Sequence, residues 1–358
     1  MKAIYAIDYG SIGNLFLRND IPQPVIVPKN KILIKTEAVA LAPGDARILS
    51  GKTRELQGPK SMPYIPGGDC CGTVVNIGNE SPSNLGFNVG DRVAARFVDG
   101  PMGALAEYAL ISTKMCDKVP HEINSIDAAA LVSSATIALS LSRRIKEGEK
   151  VLVLGAGGGV GSHLCQLLRE RNVSFIAGVS QNTERLLKDL HCDQAIDYTK
   201  QNPLTVQEWV DEPFDVIIDL ASGSWTSLLE LQARGEKLIV KSASEGGRFL
   251  TTSLDEPWYE LHGIWPALKT FLFIPLWRAF YTRFWFKRTS LPSFTFAMSL
   301  DTDRNIIKQV MKLSVTGKLK PCVDDHGPFP FTANGVRDAF SLLKSRHTQG
   351  KVVISINQ

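Results

Sequence analysis

The sequence predicts an α/β protein of two domains, a β-rich head joined to a doubly wound parallel sheet. Three observations carry this. A buried strand pattern at Val151-Leu-Val-Leu154 collapses into Gly155-Ala-Gly157-Gly158-Gly159-Val160-Gly161 and turns helical from Ser162. Beyond it, strand-like and helix-like runs alternate at the spacing of βα units. Before it lie short strand patterns separated by Gly, Pro and Asn turns, which suggests a small barrel or sandwich. A chain of 358 residues is long enough to form two cores.

In chain order, Met1–Ile7 begins directly as an alternating strand. Ile32–Ala40, Gly72–Gly78, Asp91–Arg96 and Ala104–Ile111 read as the strands of the head. An alanine-rich helical stretch runs from Ser125 to the glycine loop. Val173–Val179 reads as the second strand of the parallel sheet, Thr183–Leu190 as its second helix and Ala195–Asp197 as its third strand. Phe214–Leu220 and Lys237–Lys241 supply two more strands, and Ser293–Met298 an edge strand. A helix at Thr332–Lys344 and a strand beginning at Lys351 close the chain.

The glycine string has a physical reading. Glycine permits the tight turn and lets a pyrophosphate approach the amides, while the following helix aims its unpaired N–H groups and positive dipole end at the anion. An ordinary glycine-rich βα turn is the bland alternative, and the succession of βα units disfavours it. The candidate cradle is Gly155, Gly157, Gly158, Gly159, Val160 and Gly161. An NAD site usually places Asp or Glu about 20 residues further on. Here the second strand ends Gly178-Val179-Ser180-Gln181-Asn182, with no carboxylate. Ser180 and Asn182 offer hydrogen bonds, and Arg185 and Lys188 follow. A hydroxyl with nearby cations suits a 2′-phosphate, so the expected cofactor is NADPH. The competing reading makes Arg185 and Lys188 a solvated helix face.

Composition narrows the classes. With 44% apolar and 21% charged residues the chain is an ordinary globular one. A net charge of +4 without a basic tail argues against nucleic-acid binding. The cysteines (Cys70, Cys71, Cys116, Cys165, Cys192, Cys322) show no C-x-x-C spacing and read as reduced thiols of a cytoplasmic protein. The start lacks a signal peptide's apolar core.

A family resemblance enters on ordered motifs. Pro66-Gly-Gly-Asp69-Cys-Cys-Gly72, Val89-Gly-Asp91-Arg92-Val93 and Gly103-Ala-Leu-Ala106-Glu107-Tyr108 resemble the GroES-like domain of medium-chain dehydrogenases/reductases. The glycine loop, Ala195-Ile-Asp197-Tyr198, Asp215-Val-Ile-Ile-Asp219, Gly317-Lys-Leu-Lys-Pro321 and Gly350-Lys351-Val-Val resemble the zinc-free quinone oxidoreductase and enoyl reductase branch. The resemblance implies a GroES-like catalytic domain from residues 1–125 and 301–358. An NADP-binding Rossmann domain would span 126–300, and the active site would lie in the cleft that such a division creates. It also implies that Tyr198 sits near the adenosine 2′-phosphate, with strand packing as the alternative. Thr136 would approach the nicotinamide, Asp219 would border the ribose, and Lys351 would lie near the cleft.

Zinc-dependent relatives need Cys or His at set places, since Zn²⁺ takes four donors. Ala40–Asp45, Pro66–Asp69 and Leu131–Thr136 offer no thiol or imidazole at the corresponding places. Phe97–Met102 runs straight into Gly103 without a four-cysteine lobe. No metal is expected. Reduction of an activated double bond then fits better than alcohol oxidation. Enoyl reductases of the branch carry a tyrosine after the first Pro-x-Asp element, where this chain has Thr53, and an Asn where it has Ala42. Arg47, Lys52, Thr53 or a water are left as candidate proton donors, each with a solvated-loop alternative, and Asp45 reads as a loop-fixing carboxylate.

A connection at about 255–295 has no counterpart in the resemblance. It is dense in Trp, Phe and Tyr, and from Gly263 to Leu300 it holds five cations and no acid. A cover for an apolar substrate, a homodimer interface and a peripheral membrane contact through 263–290 stay open. The expected function is zinc-independent, NADPH-dependent reduction of a lipophilic enone, enal or quinone. The rivals are a non-redox cyclase on a polyketide-like substrate and an NADPH sensor without turnover.

Overall fold

The computed structural model describes residues 1–55, 58–59, 62–78, 86–96, 103–284, 289–297 and 304–356. The expectations placed on Phe97–Met102 and on Met298 lie outside them. The chain divides into two compact units, Met1–Ile137 with Asp301–Gln358, and Ala138–Leu300.

In the first unit, β1 (Ala3–Ala6) and β2 (Leu15–Arg18) form an antiparallel pair. The main sheet is organised around β3 (Lys31–Leu41), whose eleven residues serve three neighbours. One edge pairs with β4 (Asp69–Ile77). The other is shared: residues 31–35 pair with β6 (Tyr108–Ser112) and residues 38–41 with β15 (Val352–Ser355). β5 (Arg92–Ala95) and β7 (Cys116–Lys118) extend the sheet beyond β4, and β14 (Phe329–Pro330) extends it beyond β15. The C-terminal strand thus completes a sheet begun by the N-terminal residues. The helix Ser125–Val132 packs on β3, β4 and β15, burying Ala128 through Val132. That packing draws the division to Ile137, beyond the expected boundary at 125/126. The expected strand at 104–111 starts only at Tyr108, because Gly103, Ala104 and Leu105 donate their amides to Ile65, Gly67 and Pro66.

The second unit is a six-stranded sheet, parallel throughout: β8 (Lys150–Leu154), β9 (Phe175–Val179), β10 (Gln194–Ile196), β11 (Val216–Asp219), β12 (Arg248–Thr251) and β13 (Ser293–Phe296). Its spatial order is β10-β9-β8-β11-β12-β13. The order reverses between β8 and β11, the switch point where such sheets bind ligands. Trp209, Phe214, Trp225, Phe249 and Phe294 fill its core.

One strand assignment is corrected. Lys237–Lys241 is not a strand. Its backbone bonds to the sheet are two, both with Phe214 ahead of β11, and a 3-10 turn at Ala243–Glu245 then leads into Arg248–Thr251, which takes the β11 edge. Leu238, Ile239 and Val240 are buried, so the apolar run reports burial and not pairing.

Candidate active site

The glycine loop sits at the switch point of the second unit. Gly155 has φ +82°, a conformation that favours glycine, and a Cβ there would lie 3.4 to 3.5 Å from the backbone of Leu220 and Ala221, beyond β11. Gly161 is more demanding. A Cβ on it would lie 2.2 Å from the Gly155 carbonyl oxygen and 2.7 Å from Ala156 Cα. The loop and the helix Gly159–Arg169 therefore touch backbone to backbone. Gly158 caps that helix without a side-chain bond, leaving first-turn N–H groups of Gly159 and Val160 without intrahelical acceptors. Gly158, Gly159 and Val160 are half-buried, while Gly157 and Gly161 are buried. This is a cradle that a diphosphate fits and that a side chain would fill.

The C-terminal ends of β9 and β10 lie side by side, tied by the Ser180 amide donating to the Ile196 carbonyl at 3.0 Å. Ser180 and Tyr198 therefore share the sheet edge that carries the glycine loop. Tyr198 is 44% exposed, which sets aside the strand-packing alternative. Asn182 caps the helix Thr183–Lys188, its carboxamide oxygen accepting from the Arg185 amide at 3.1 Å. Arg185 is half-buried in that helix. Lys188 pairs with Glu184 at 2.6 Å on an exposed face, as the solvated-helix alternative has it.

Asp219, expected to border a ribose, is bonded to the loop that follows it. Its carboxylate accepts from the Ala221, Ser222 and Ser224 amides at 2.9, 3.0 and 3.2 Å. It shapes the loop after β11, and burial raises its pKa against those bonds.

In the first unit, the helix Pro43–Ser50 begins at Ala42, whose amide donates to Asp45 at 2.7 Å. Asp45 is thus the loop-fixing carboxylate read from the sequence. Its surroundings push its pKa up to about 6, through loss of solvent first and the nearby Asp69 second, against the Ala42 amide and Lys351. Asp69 and Lys351 form a buried ion pair at 3.0 Å, joining the start of β4 to the start of β15. Lys351 is therefore engaged by a carboxylate. Thr136 is buried and accepts from Arg96 Nη1 at 2.6 Å.

The candidate donors separate. Lys52 is exposed and Arg47 half-buried on the first-unit helix. Thr53 is buried, with no hydrogen-bond partner for its hydroxyl among the described residues. The solvated-loop alternative does not hold for it. A second such group was missed from the sequence: Tyr64, 5% exposed, also has a hydroxyl without a partner among the described residues. Burial, then Asp45, then Tyr9 raise its pKa, so it stays a neutral O–H. Its only signal in the sequence is a polar-tipped aromatic just ahead of Ile65-Pro66-Gly67. Leaving a buried hydroxyl unbonded costs about 1–3 kcal/mol. A ligand that completes the bond recovers it. Thr36 on β3 carries a third such hydroxyl.

Among the described residues, no group of three His, Cys, Asp or Glu side chains is placed to hold a metal ion. Burial pushes Cys70 well above the ordinary thiol range and Cys71 and Cys116 up to about 12, so they are neutral thiols.

A family described as alcohol dehydrogenase GroES-like domain matches residues 28–121, and one described as zinc-binding dehydrogenase matches residues 190–354. The chain is 30% identical to the chloroplastic NADPH-dependent alkenal/one oxidoreductase of Arabidopsis thaliana, over 99% of its own length and 79% of the relative's. It is 31% identical to the 2-methylene-furan-3-one reductase of Solanum lycopersicum with the same coverages. In three dimensions it is similar to the Escherichia coli quinone oxidoreductase complexed with NADPH, with a TM-score of 0.75 at 20% identity, covering 99% of this chain and 100% of that one. At that identity the likeness concerns the fold.

Proposed function

We propose that this chain, which belongs to the medium-chain dehydrogenase/reductase superfamily and to its quinone oxidoreductase branch, is a zinc-independent reductase of the activated C=C bond of lipophilic enones, enals or quinones. It is an NADPH-dependent oxidoreductase built from a GroES-like domain and a Rossmann-type domain. The observation that carries the reading is the glycine-rich cradle from Gly155 to Gly161 at the sheet's switch point.

When bound, NADPH supplies the hydride. The chain's own residues bind, orient and donate. The Gly159 and Val160 amides would hold the diphosphate, and Ser180, Arg185 and Tyr198 would receive the 2′-phosphate on a sheet edge whose second strand ends without an acid. As charge develops on the substrate oxygen, Tyr64 or Thr53 donates a hydrogen bond to it. Tyr64 keeps its proton available for this bond, because its surroundings disfavour its ionised form. Asp45 fixes the turn into the helix Pro43–Ser50. Zinc independence is supported by Ala40–Asp45 and Pro66–Asp69, which carry no thiol or imidazole at the metal-ligand places. Six free, buried cysteines support a reducing, cytoplasmic location.

The test follows NADPH absorbance with a panel of quinones and α,β-unsaturated carbonyls, and the products by mass spectrometry. Loss of NADPH with the saturated carbonyl from an enone or enal, or the hydroquinone from a quinone, is expected. Product without NADPH loss would make the protein a cyclase, and binding with neither would make it a sensor.

A further inference from the structure

The connection between β12 and β13 places its apolar side chains on the wrong face for a protein core. Three consecutive helical segments, Ile264–Leu268, Lys269–Phe273 and Ile274–Phe284, cover 264–284. In the last of them Thr282 is buried, its hydroxyl donating to the Arg278 carbonyl at 2.9 Å and accepting from the Phe294 amide at 3.1 Å. Arg278 grips Asp255 through two bonds of 2.9 and 2.6 Å and lies over the Phe294 ring. These contacts pin one side of the helix to β13. Leu276, Trp277, Phe280, Tyr281 and Phe284 recur at helical spacing on the other side and are 37 to 65% exposed. Phe280 stacks on Trp277 and tilts against Phe284 on this exposed side. Trp265, at 73% exposure, and Phe273, at 53%, add to the apolar surface from the preceding segments.

The charge of this segment selects the occupant. No acid occurs from Gly263 to Leu300. Arg278 is spent on Asp255, while Lys269 and Arg283 are exposed beside the apolar face. Aromatic side chains at headgroup depth with cations beside them match an anionic lipid surface. A self-paired contact between two copies of this segment would set its cations against the same cations, with no acid on the segment to answer them. Among the described residues no single helix is long and apolar enough to cross a bilayer, so the fit is to a surface. We propose that residues 264–284 dock this protein flat on an anionic membrane surface, with Trp277, Phe280 and Phe284 entering the headgroup boundary and Lys269 and Arg283 facing lipid phosphates.

The experiment is flotation of the full chain with phosphatidylcholine vesicles, with and without phosphatidylglycerol. The chain should float with the anionic vesicles and not with the neutral ones. Trp277→Ser with Phe284→Ser should lower binding at least about tenfold, and Lys269→Gln with Arg283→Gln about tenfold. NADPH affinity should be unchanged in both, which shows that they fold. Absence of the wild-type chain from floated anionic vesicles overturns the proposal. So does a wild-type dimer in solution that the aromatic variant dissociates while vesicle binding is nil, which would make the face a subunit interface. Because flotation reads no turnover, its failure leaves the reductase reading standing.

Discussion

Around the glycine loop of the parallel sheet, polar side chains already have partners. Asp219 holds three amides, Asn182 caps a helix, and Lys188 pairs with Glu184. In the β-rich unit the pattern is reversed. Among the described residues, Thr53 and Tyr64 bury hydroxyls without partners, and Asp45 sits where its charge is disfavoured. Around the loop itself, what the parallel-sheet unit offers a ligand is main chain. The other half stores unsatisfied groups, as surfaces that meet a reacting molecule do.

The largest effect should come from closing the cradle. Gly161→Val places carbon where the Gly155 carbonyl already sits, 2.2 Å from an added Cβ. NADPH affinity by calorimetry should fall at least about 100-fold, or about 2.7 kcal/mol, with circular dichroism reporting whether the fold survives. A folded variant that binds within about threefold of wild type would detach the glycine packing from nucleotide binding.

Next is Tyr64→Phe. As hydrogen donor to the developing charge, Tyr64 should be worth about 100-fold in kcat, with NADPH affinity unchanged. The same change deletes an unsatisfied buried hydroxyl, so thermal stability should hold or rise by about 1 kcal/mol. Falling stability with intact kcat would make Tyr64 structural. A fall in kcat for Thr53→Val alone would move the donor role to Thr53.

Asp45 gives a pH test of intermediate size. Its native pKa of about 6 lies above the ordinary 3.8. The native state therefore holds the proton more tightly, and the stability tied to this group is full below about pH 4 and lost as pH rises through about 6. The loss is on the order of 2–3 kcal/mol. Asp45→Asn should remove that slope in urea unfolding between pH 4 and 7, about the interval the shift spans, and stabilise the protein at neutral pH. A steeper slope in the variant would contradict the assignment. The smallest effect belongs to Lys188→Ala, whose exposed pair with Glu184 should be worth under about 1 kcal/mol, with NADPH affinity changed less than about threefold. A tenfold loss would return Lys188 to the phosphate site.

The sheet was legible because its signals are local. Val151–Leu154, the glycines and the Ser162 helix state strand, turn and helix within a dozen residues. Lys237–Lys241 misled because an apolar triplet looks the same whether it pairs or merely packs, and β12 hides in Arg248–Thr251, behind the Gly246-Gly247 turn. The β-rich unit was less legible. The burial of Thr53 and Tyr64, and the capture of Lys351 by Asp69 some 280 residues away, depend on contacts distant in the chain. No window of sequence contains both members of such a pair.

The decisive measurement is a parallel calorimetric titration of the purified chain with NADPH and NADH. NADPH should bind at least about tenfold more tightly, because the neighbourhood of Ser180 and Arg185 carries no acid at the end of β9 to repel a 2′-phosphate. Equal or tighter NADH binding would contradict the assignment of that edge, and heat from neither nucleotide would contradict the cradle itself.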